Sequence, residues 1–367
     1  MNLQIRVAGG LVYRFIDGEP QILLIEDRFS HITLPKGHVE ADELLEETAL
    51  REIEEETGII GRIVSPIGKV SYTFTHEDET VRKDAYYYLV EAITDEILPQ
   101  FTEIKGVRFV SAEEAERIMK EQGYENNFAI FTTGLDMVRQ EALSGTLLAS
   151  MIDSTLLAPT ASPTEVIRLC REARTYQFAS VCINPIFVRL AAEHLGGSPV
   201  KVCTVIGFPL GATKTEVKVA EALRALAEGA EELDMVIPLG YLKANDVLRV
   251  EADIRAVVEV AAERAQVKVI LETALLTDDE IRAGVLCAIR AGAQFVKTST
   301  GFAKQGATVE AVCLLREIVG DQLGVKASGG IRTRFDADAM IAAGATRIGT
   351  SAGAKLVISN LAPAWSV

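Results

Sequence analysis

The chain has 367 residues, enough for two domains, and its 49% hydrophobic and 24% charged residues argue against global disorder. Residues 1–144 carry 14 Lys and Arg against 28 Asp and Glu, whereas the remainder carries 23 against 24. The acidic first part is unsuited to a nucleic-acid backbone, which requires a basic face, and the contrast predicts two modules of separate origin.

The cysteine pattern and the start of the chain predict a cytoplasmic protein. No apolar run reaches the ~20 residues that a membrane span needs, and the start MNLQIRVAGGLVYRF lacks the features of a signal peptide. The cysteines are Cys170, Cys182, Cys203, Cys287 and Cys313. Their odd number, without C-x-x-C spacing, argues against a disulfide framework and a zinc site and is typical of reduced cytoplasm. We expect no membrane partner and no nucleic-acid partner.

The first module, which we place at residues 1–143, is predicted to be α/β with a mixed sheet. Apolar or alternating runs predict strands at Leu3–Phe15, Gln21–Glu26, Ala85–Ala92 and Gly106–Val110. Helical periodicity predicts helices at about Asp42–Thr57, Ala112–Gln122 and Phe128–Ala142. Residues 143–146, which read LSGT, are the expected joint.

The second module, which we place at residues 147–367, alternates short β-branched runs with amphipathic helical stretches such as Thr215–Glu228 and Asp279–Ala291. The eight runs are Ser150–Ile152, Ala179–Ile183, Val200–Ile206, Glu232–Ile237, Val267–Glu272, Gln294–Lys297, Gly324–Ala327 and Thr346–Ile348. Eight strands alternating with helices over about 220 residues predict a parallel (β/α)8 TIM barrel.

A glutamate-rich helix of the first module suggests a metal site. Residues 37–59 read GHVEADELLEETALREIEEETGI. At ~3.6 residues per turn, Glu52, Glu55 and Glu56 fall within about a 100° arc of one helix. Like charges so placed destabilise a helix, but hard oxygen ligands suit Mg²⁺ or Mn²⁺, with substrate phosphates completing the coordination. The alternative is a solvated acidic helix.

The same segment fits G-x5-E-x7-R-E-U-x-E-E-x-G-U, where U is aliphatic, at all nine fixed positions. It thereby resembles the signature of Nudix hydrolases, which cleave nucleoside diphosphates linked to another group and fold as an α/β/α sandwich. The resemblance implies metal binding by Glu52, Glu55 and Glu56, with Glu55 also catalytic, and a backbone role for Gly37 beside the metal. It also implies a pair between Glu43 and Arg51.

Other details of the Nudix-like module stay open. Glu103, in a loop before the last predicted strand, is a further candidate ligand or general base. The run LPKGH, Leu34–His38, resembles members that act on dinucleoside polyphosphates or (d)NTPs. An alternative hypothesis makes the module a non-catalytic nucleotide sensor, although the full set of glutamates argues against it.

Two lysines end neighbouring predicted strands of the second module. Lys297 lies in FVKTSTGF and Lys326 in VKASGGIR. In TIM barrels the C-terminal strand ends carry the chemistry, and two adjacent ammonium groups should each lower the other's pKa from about 10.4. A neutral amine is what Schiff-base formation requires. The alternative, a surface lysine with its charge in water, suits a helix better than an apolar strand end.

KTSTGF followed by KASGGIR is similar to the deoxyribose-phosphate aldolase family, as are MIDSTLL, VCINP, TVIGFPLG, ELDMV and LET, over residues 147–357. The resemblance implies reversible cleavage of 2-deoxy-D-ribose 5-phosphate to acetaldehyde and D-glyceraldehyde 3-phosphate, without a cofactor. It assigns the imine to Lys297, pKa tuning and proton transfer to Lys326, and a proton relay to Asp234. Asp153 would orient this network or a substrate hydroxyl. Cys182 would line the pocket, or be only a small buried residue.

Glycine-rich loops after the last two strands predict a phosphate site, because they offer backbone N–H groups and helix N-termini. The candidate substrate-binding residues here and after Lys297 are Thr300, Gly301, Gly329, Gly330, Gly349 and Ser351. Phe302 stands where some family members have a lysine, so another phosphorylated or unphosphorylated aldehyde is the alternative substrate. We expect phosphorylated sugars and nucleotides as small-molecule partners and leave a homo-oligomer open.

Overall fold

The computed structural model describes residues 3–16, 19–76, 79–99 and 104–358. The chain divides into two compact units, Met1–Ser144 and Gly145–Val367. Within the described ranges, no helix combines the length and the apolar character that crossing a membrane requires.

The first unit contains a mixed sheet that has seven strands within the described residues. The strands are β1 (Leu3–Ile16), β2 (Glu19–Asp27), β3 (Ile32–Thr33), β4 (Lys36–His38), β5 (Gly61–His76), β6 (Glu79–Ala92) and β7 (Ile104–Ser111). Their order is β3-β2-β1-β6-β5, with β4 paired to β1 and β7 to β2. Only β1 and β6 pair in parallel among these strands.

Helices cover both faces of this sheet because its central strand alternates between two apolar sets. Val7 and Leu11 pack with helices α2 (Ala112–Gln122) and α3 (Glu125–Ala149), whereas Ala8 and Val12 pack with helix α1 (Leu45–Thr57). The predicted α/β/α sandwich is therefore confirmed.

Helix α2 has its predicted bounds, whereas the start of α1 and both ends of α3 differ from their predicted positions. Helix α1 begins at Leu45 rather than Asp42, because Asp42 has a positive φ of 66° and Leu44 is extended. It ends at Gly58, whose φ of 77° is the left-handed conformation that glycine tolerates. The expected joint at residues 143–146 is helical and lies inside α3.

The second unit is a closed barrel that has eight parallel strands within the described residues, in the order β10-β11-β12-β13-β14-β15-β8-β9. The strands are β8 (Ile152–Leu156), β9 (Ser180–Ile183), β10 (Lys201–Ile206), β11 (Glu232–Val236), β12 (Gln266–Ile270), β13 (Phe295–Lys297), β14 (Gly324–Ser328) and β15 (Arg347–Thr350). The predicted TIM barrel is confirmed, although β8 and β15 lie towards the C-terminal side of their predicted spans.

Helices surround the barrel on the outside. They are α4 (Pro163–Tyr176), α5 (Val188–Leu195), α6 (Thr215–Glu228), α7 (Leu239–Lys243), α8 (Val247–Ala261), α9 (Asp278–Ala291), α10 (Val309–Val319), α11 (Arg334–Ala342) and α12 (Gly353–Ile358). Several begin at a Ser, Thr or Asp whose side chain accepts a backbone N–H, the usual N-terminal capping arrangement.

The strands alternate in a way that determines where the chemistry lies. In β11, Leu233 and Met235 join the large apolar core with the helices, whereas Glu232 and Asp234 contact charged residues of other strands. Because successive side chains of a strand point to opposite faces, the apolar residues face the helices and the charged ones face the barrel interior. The interior is thus unusually polar.

Candidate active sites

The structure brings the two predicted lysines together inside the barrel. Lys297 and Lys326 occupy register-paired positions on β13 and β14. Each Nζ lies 2.7 Å from the same oxygen, Asp234 Oδ2, so the two nitrogens are at most twice that distance apart. Lys297 is only 2% exposed, which excludes the alternative of a surface lysine.

Asp153 connects this group to the first strand of the barrel. Its Oδ2 lies 2.5 Å from Lys326 Nζ, and its Oδ1 accepts hydrogen bonds from Ser180 Oγ at 2.7 Å and from Arg347 at 2.8 Å. The four predicted residues of the aldolase centre, Lys297, Lys326, Asp234 and Asp153, therefore form one buried network.

Sequence reasoning missed three charged members of the network. Lys268 Nζ lies 2.5 Å from Glu232 Oε2, 3.1 Å from Asp234 Oδ1 and 3.2 Å from Asp153 Oδ2. Arg347 lies 3.4 Å from Glu232 Oε1. The signal was present in the strands themselves, since Lys268 interrupts the apolar run QVKVI and Glu232 lies two residues from Asp234 on the same face.

The expected mutual lowering of the two lysine pKa values is wrong for Lys326. Burial alone would lower its pKa, but the carboxylates of Asp153 and Asp234 outweigh burial and raise it above the ordinary value. Burial would likewise raise the pKa of Asp234, but the three neighbouring ammonium groups hold it well below its usual range. Lys326 is therefore a charged partner held by two carboxylates.

Cys182 and a second cysteine complete the centre. Cys182 is fully buried, and its Sγ lies 3.9 Å from Asp234 Oδ2. Cys203, on the next strand, donates to Asp234 Oδ1 at 3.2 Å. Cys182 thus contacts the predicted centre, and Cys203 is a further residue that sequence reasoning did not select.

The glycines predicted to hold phosphate lie at the C-terminal ends of β13, β14 and β15: Gly301, Gly329 and Gly330 follow their strands, and Gly349 is inside β15. Gly301, Gly329 and Gly330 all have left-handed φ values, of 87°, 88° and 85°. A side chain on Gly349 would overlap Ser328 Oγ and approach Lys326 Cε to 3.1 Å. At Gly301 and Gly330 no described atom lies within 4 Å of an added Cβ, whereas the space at Gly349 is filled by its neighbours. Ser351, two residues after Gly349, is exposed.

Thr300 is held by the carboxylate of Glu272, a residue that the sequence analysis did not select as part of the site. Glu272, which is buried, accepts hydrogen bonds from both the backbone N–H of Thr300 and its hydroxyl. Glu272 itself has a left-handed φ of 56°, a strained conformation for a residue with a side chain. The loop after Lys297 is thereby fixed to the neighbouring strand end.

In the first unit, Arg51 binds the carboxylates of three residues in and before α1. It binds Glu43 through two hydrogen bonds of 2.8 and 2.9 Å, as the predicted pair requires. It also lies 2.8 Å from Glu52 and 3.1 Å from Glu55. Hydrogen bonds from Arg51 are the main cause that lowers the pKa of Glu43 to about 2.

Gly37 lies directly against this cluster. A Cβ at Gly37 would overlap the carboxyl group of Glu52, so a larger residue would displace that carboxyl group from its present position. The side chain of Glu52 is 12% exposed, which is not the state of a solvated acidic face. Glu56 Oε2 accepts a 3.0 Å hydrogen bond from the backbone N–H of Lys36.

The three glutamates share a helix face but are not drawn together into one compact set. Two groups of three residues in the described part of the chain have possible metal-ligand atoms within 4.8 Å of one another. Both groups lie in the barrel, and neither includes these glutamates. Glu52 and Glu55 are turned towards Arg51, and Glu56 towards Lys36. Glu103 lies outside the described residues.

Comparisons with known proteins agree with this division. A model of the NUDIX domain matches residues 6–131, and a model of the DeoC/LacD family aldolases matches residues 147–357. Deoxyribose-phosphate aldolase 1 of Bacillus licheniformis is 58% identical over 210 residues, covering 57% of this chain and 94% of the relative. The deoxyribose-phosphate aldolase of Halalkalibacterium halodurans is 56% identical over 211 residues, covering 57% and 94%.

A solved structure is similar to the same part of the chain. It is a tetrameric deoxyribose phosphate aldolase from Aeropyrum pernix, with a TM-score of 0.55 and 40% identity, covering 60% of this chain and 95% of that one. Both families predicted from the sequence are therefore confirmed.

Proposed function

Because the chain belongs to the DeoC/LacD family of aldolases and also carries a Nudix domain, we propose that its barrel reversibly cleaves 2-deoxy-D-ribose 5-phosphate to acetaldehyde and D-glyceraldehyde 3-phosphate. The observation that carries the proposal is the pair of buried lysines, Lys297 and Lys326, on one oxygen of Asp234. The relatives named deoxyribose-phosphate aldolase supply the choice of substrate.

In the proposed reaction, Lys297 is the nucleophile. Its neutral amine adds to the aldehyde carbon of the sugar and loses water to form an imine. Asp234 lies next to this nitrogen and can accept the proton that the addition releases, and the neighbouring ammonium group of Lys326 can donate the proton that the loss of water requires. The pKa of Lys326 is raised, so the proposed role of Lys326 is that of a proton donor and a fixed positive charge.

The carbon–carbon bond then breaks with the protonated imine as the electron sink. The C3 hydroxyl loses its proton and the C2–C3 bond breaks. C3 becomes the aldehyde carbon of glyceraldehyde 3-phosphate, and the bonding electrons pass through C2 to the imine, which becomes an enamine. Protonation of the enamine and hydrolysis release acetaldehyde and regenerate Lys297. Asp153, bound to Lys326, would orient this proton network. The imine supplies the electron sink, so this chemistry requires no further cofactor.

We propose that the loops carrying Thr300, Gly301, Gly329, Gly330, Gly349 and Ser351 bind the phosphate. Their backbone N–H groups can donate hydrogen bonds to an anion, and the side chain of Lys326 lies close to Gly349. Phe302 is 53% exposed and adds no charge there, which favours testing an unphosphorylated aldehyde as the competing substrate.

The test compares 2-deoxyribose 5-phosphate with 2-deoxyribose, and acetaldehyde release is followed with an NADH-linked dehydrogenase. A higher kcat/KM for the phosphorylated sugar, lost in the Lys297→Ala variant, supports the proposal. A higher kcat/KM for the unphosphorylated sugar would contradict the proposed substrate and favour another aldehyde as the substrate of the barrel.

For the Nudix domain we propose a pyrophosphohydrolase that uses Mg²⁺ or Mn²⁺ and acts on a nucleoside polyphosphate. The donor set fits such a cation, because Glu52, Glu55 and Glu56 supply carboxylate oxygens from one helix and Gly37 keeps the adjoining backbone close. The bound cation would neutralise phosphate charge and activate water. Arg51 holds Glu52 and Glu55 in place, and Glu55 is the candidate catalytic carboxylate.

A nucleotide panel with Mg²⁺ tests this proposal on the full chain. Turnover that disappears in Glu55→Gln supports hydrolysis. Binding without turnover of every member would make the domain a nucleotide sensor instead.

We also propose a cellular location, an oligomeric state and a set of partners. Cys170, Cys182, Cys203, Cys287 and Cys313 are all free thiols, which fits the proposed location in reducing cytoplasm. The tetrameric relative supports a proposed homo-oligomer. Phosphorylated sugars and nucleotides are the proposed small-molecule partners. The acidic charge of the first unit argues against a nucleic-acid partner.

A further inference from the structure

Two cysteines face each other beside the catalytic carboxylate of the barrel. Cys182 and Cys203 are paired in register on the neighbouring strands β9 and β10, and both are fully buried. Their Sγ atoms and a carboxylate oxygen of Asp234 all lie within 4.8 Å of one another. The proposed aldol reaction uses neither thiol, so this pair is not explained by that function.

The geometry of the pair suits a disulfide. Neighbouring strands lie about 4.8 Å apart, which is inside the roughly 4.4–6.8 Å range of Cα separations in disulfides. The two sulfurs can therefore approach through rotation of the side chains, without rearrangement of the barrel.

The charges around the pair favour thiolate chemistry over binding of a metal cation. Lys268 Nζ donates to Cys203 Sγ at 3.3 Å, and two further ammonium groups share Asp234. Positive charge this close stabilises a thiolate and repels a cation. A hydrogen bond from Cys203, outweighing burial, lowers the pKa of Cys182, whereas burial raises the pKa of Cys203. Cys182 also lies beside the oxygen of Asp234 that the ammonium groups of Lys297 and Lys326 share, which favours Cys182 as the nucleophile of the pair.

We propose that Cys182 and Cys203 form a reversible disulfide that inactivates the aldolase centre when hydrogen peroxide enters it. The Cys182 thiolate attacks one peroxide oxygen, giving a sulfenic acid and hydroxide, which takes up a proton to become water. Cys203 then loses its proton and attacks the sulfenic sulfur, and the S–O bond breaks as a second water leaves. Two thiols and one peroxide thus become one disulfide and two waters, and an added dithiol reverses the change.

The argument that hydrogen peroxide can reach the buried cysteines rests on the proposed function, which requires an aldehyde to reach Lys297. Lys297 is itself almost fully buried, so an aldehyde can reach it only if the barrel mouth opens. Hydrogen peroxide is smaller than any such aldehyde, and the thiols contact the same Asp234 that contacts Lys297. An opening that admits the substrate therefore admits the oxidant.

The disulfide changes the contacts of Asp234. It withdraws the Cys203 donor from Oδ1 and moves the Cys182 donor away from Oδ2, the oxygen shared by Lys297 and Lys326. The 3.2 Å hydrogen bond from Cys203 is the shorter of the two, and its loss from a charged group corresponds to a fall in aldolase kcat of about tenfold.

The experiment treats the full chain with hydrogen peroxide and follows aldolase activity, while peptide mapping by mass spectrometry identifies cross-linked cysteines. The expected result is a peptide pair joined through Cys182 and Cys203, with a loss of two hydrogens, whose yield tracks the fall in activity. Dithiothreitol should restore both. Inactivation without this cross-link would overturn the proposal.

Two variants sharpen the test. Cys203→Ser keeps a donor for Asp234 but cannot form the disulfide, so its remaining activity should not show the fast, dithiothreitol-reversible loss; equal loss would overturn the proposal. Cys313→Ser removes an exposed thiol on α10 and should leave the inactivation rate unchanged. If the cross-link forms but the reduced chain has no aldolase activity, the proposed function fails while the modification stands.

Discussion

Replacement of Lys268 by methionine should destabilise the barrel and shift its pH–rate profile. Lys268 is fully buried and contacts three carboxylates, of Glu232, Asp234 and Asp153. Asp153 and Asp234 keep Lys326 as a close partner in the variant, but Glu232 keeps only Arg347, at 3.4 Å. One buried carboxylate thus loses its close cation.

Removing one partner of a buried ion pair costs about 3–5 kcal/mol. At roughly 2–4 °C per kcal/mol for a unit of this size, the melting temperature of the barrel should fall by about 6–20 °C. The double variant Lys268→Met with Glu232→Gln should recover more than half of this loss, because the uncompensated charge is gone.

The pH dependence has a definite sign. The ammonium group of Lys268 helps to hold the pKa of Asp234 well below 3.8. A depressed carboxylate pKa stabilises the fold at pH values above the unfolded value, and this contribution is lost as the pH falls through the folded pKa. The stability gap between wild type and Lys268→Met should therefore narrow below about pH 3.8, and the acid limb of the variant's kcat profile should move to higher pH.

Calorimetry, circular dichroism and initial rates of sugar cleavage measure these effects. Lys218→Met is the matched control, because Lys218 is equally buried and bound to Asp253 at 2.7 Å but lies outside the lysine network. It should lose similar stability and keep the wild-type pH–rate profile. An Lys268→Met protein with unchanged stability and an unchanged acid limb would refute the claim that the buried charges act as one network.

Three further results are expected. Gly37→Ala should displace the carboxyl group of Glu52 and reduce Mg²⁺-dependent nucleotide hydrolysis by about 100-fold, with aldolase activity as the internal control. Glu272→Gln should weaken the hold on Thr300 and raise KM for the phosphorylated sugar about tenfold, with little change in kcat. Burial raises the pKa of Cys170 to about 11 and shields its side chain from solvent, so iodoacetamide at pH 8 should leave it unmodified in the folded chain and alkylate it after denaturation in guanidinium chloride.

The sequence predicted those features that depend on local pattern. Strand alternation with helices predicted the barrel, and the helix Thr215–Glu228 has the predicted bounds. Lys297 and Lys326 were predictable because a charged residue at the end of an apolar strand is costly unless it has a function.

Other features depend on contacts between distant strands. Lys268 stands out in the sequence only as a charge within an apolar strand, and its partners and those of Arg347 are determined when the barrel closes and brings both residues to Glu232, on β11. The same closure places Asp153 and Asp234 around Lys326, which reverses the expected direction of its pKa shift. Register within a closed barrel, rather than composition, determines these neighbours.

Trapping with sodium borohydride tests the central claim most directly. The full chain is reduced in the presence of acetaldehyde, and the modified lysine is identified by peptide mass spectrometry, with Lys326→Met as a comparison. The account predicts a reduced adduct on Lys297 in both proteins and none in Lys297→Ala. An adduct on Lys268 or Lys326 in the wild type, or sugar cleavage that persists in Lys297→Ala, would contradict it.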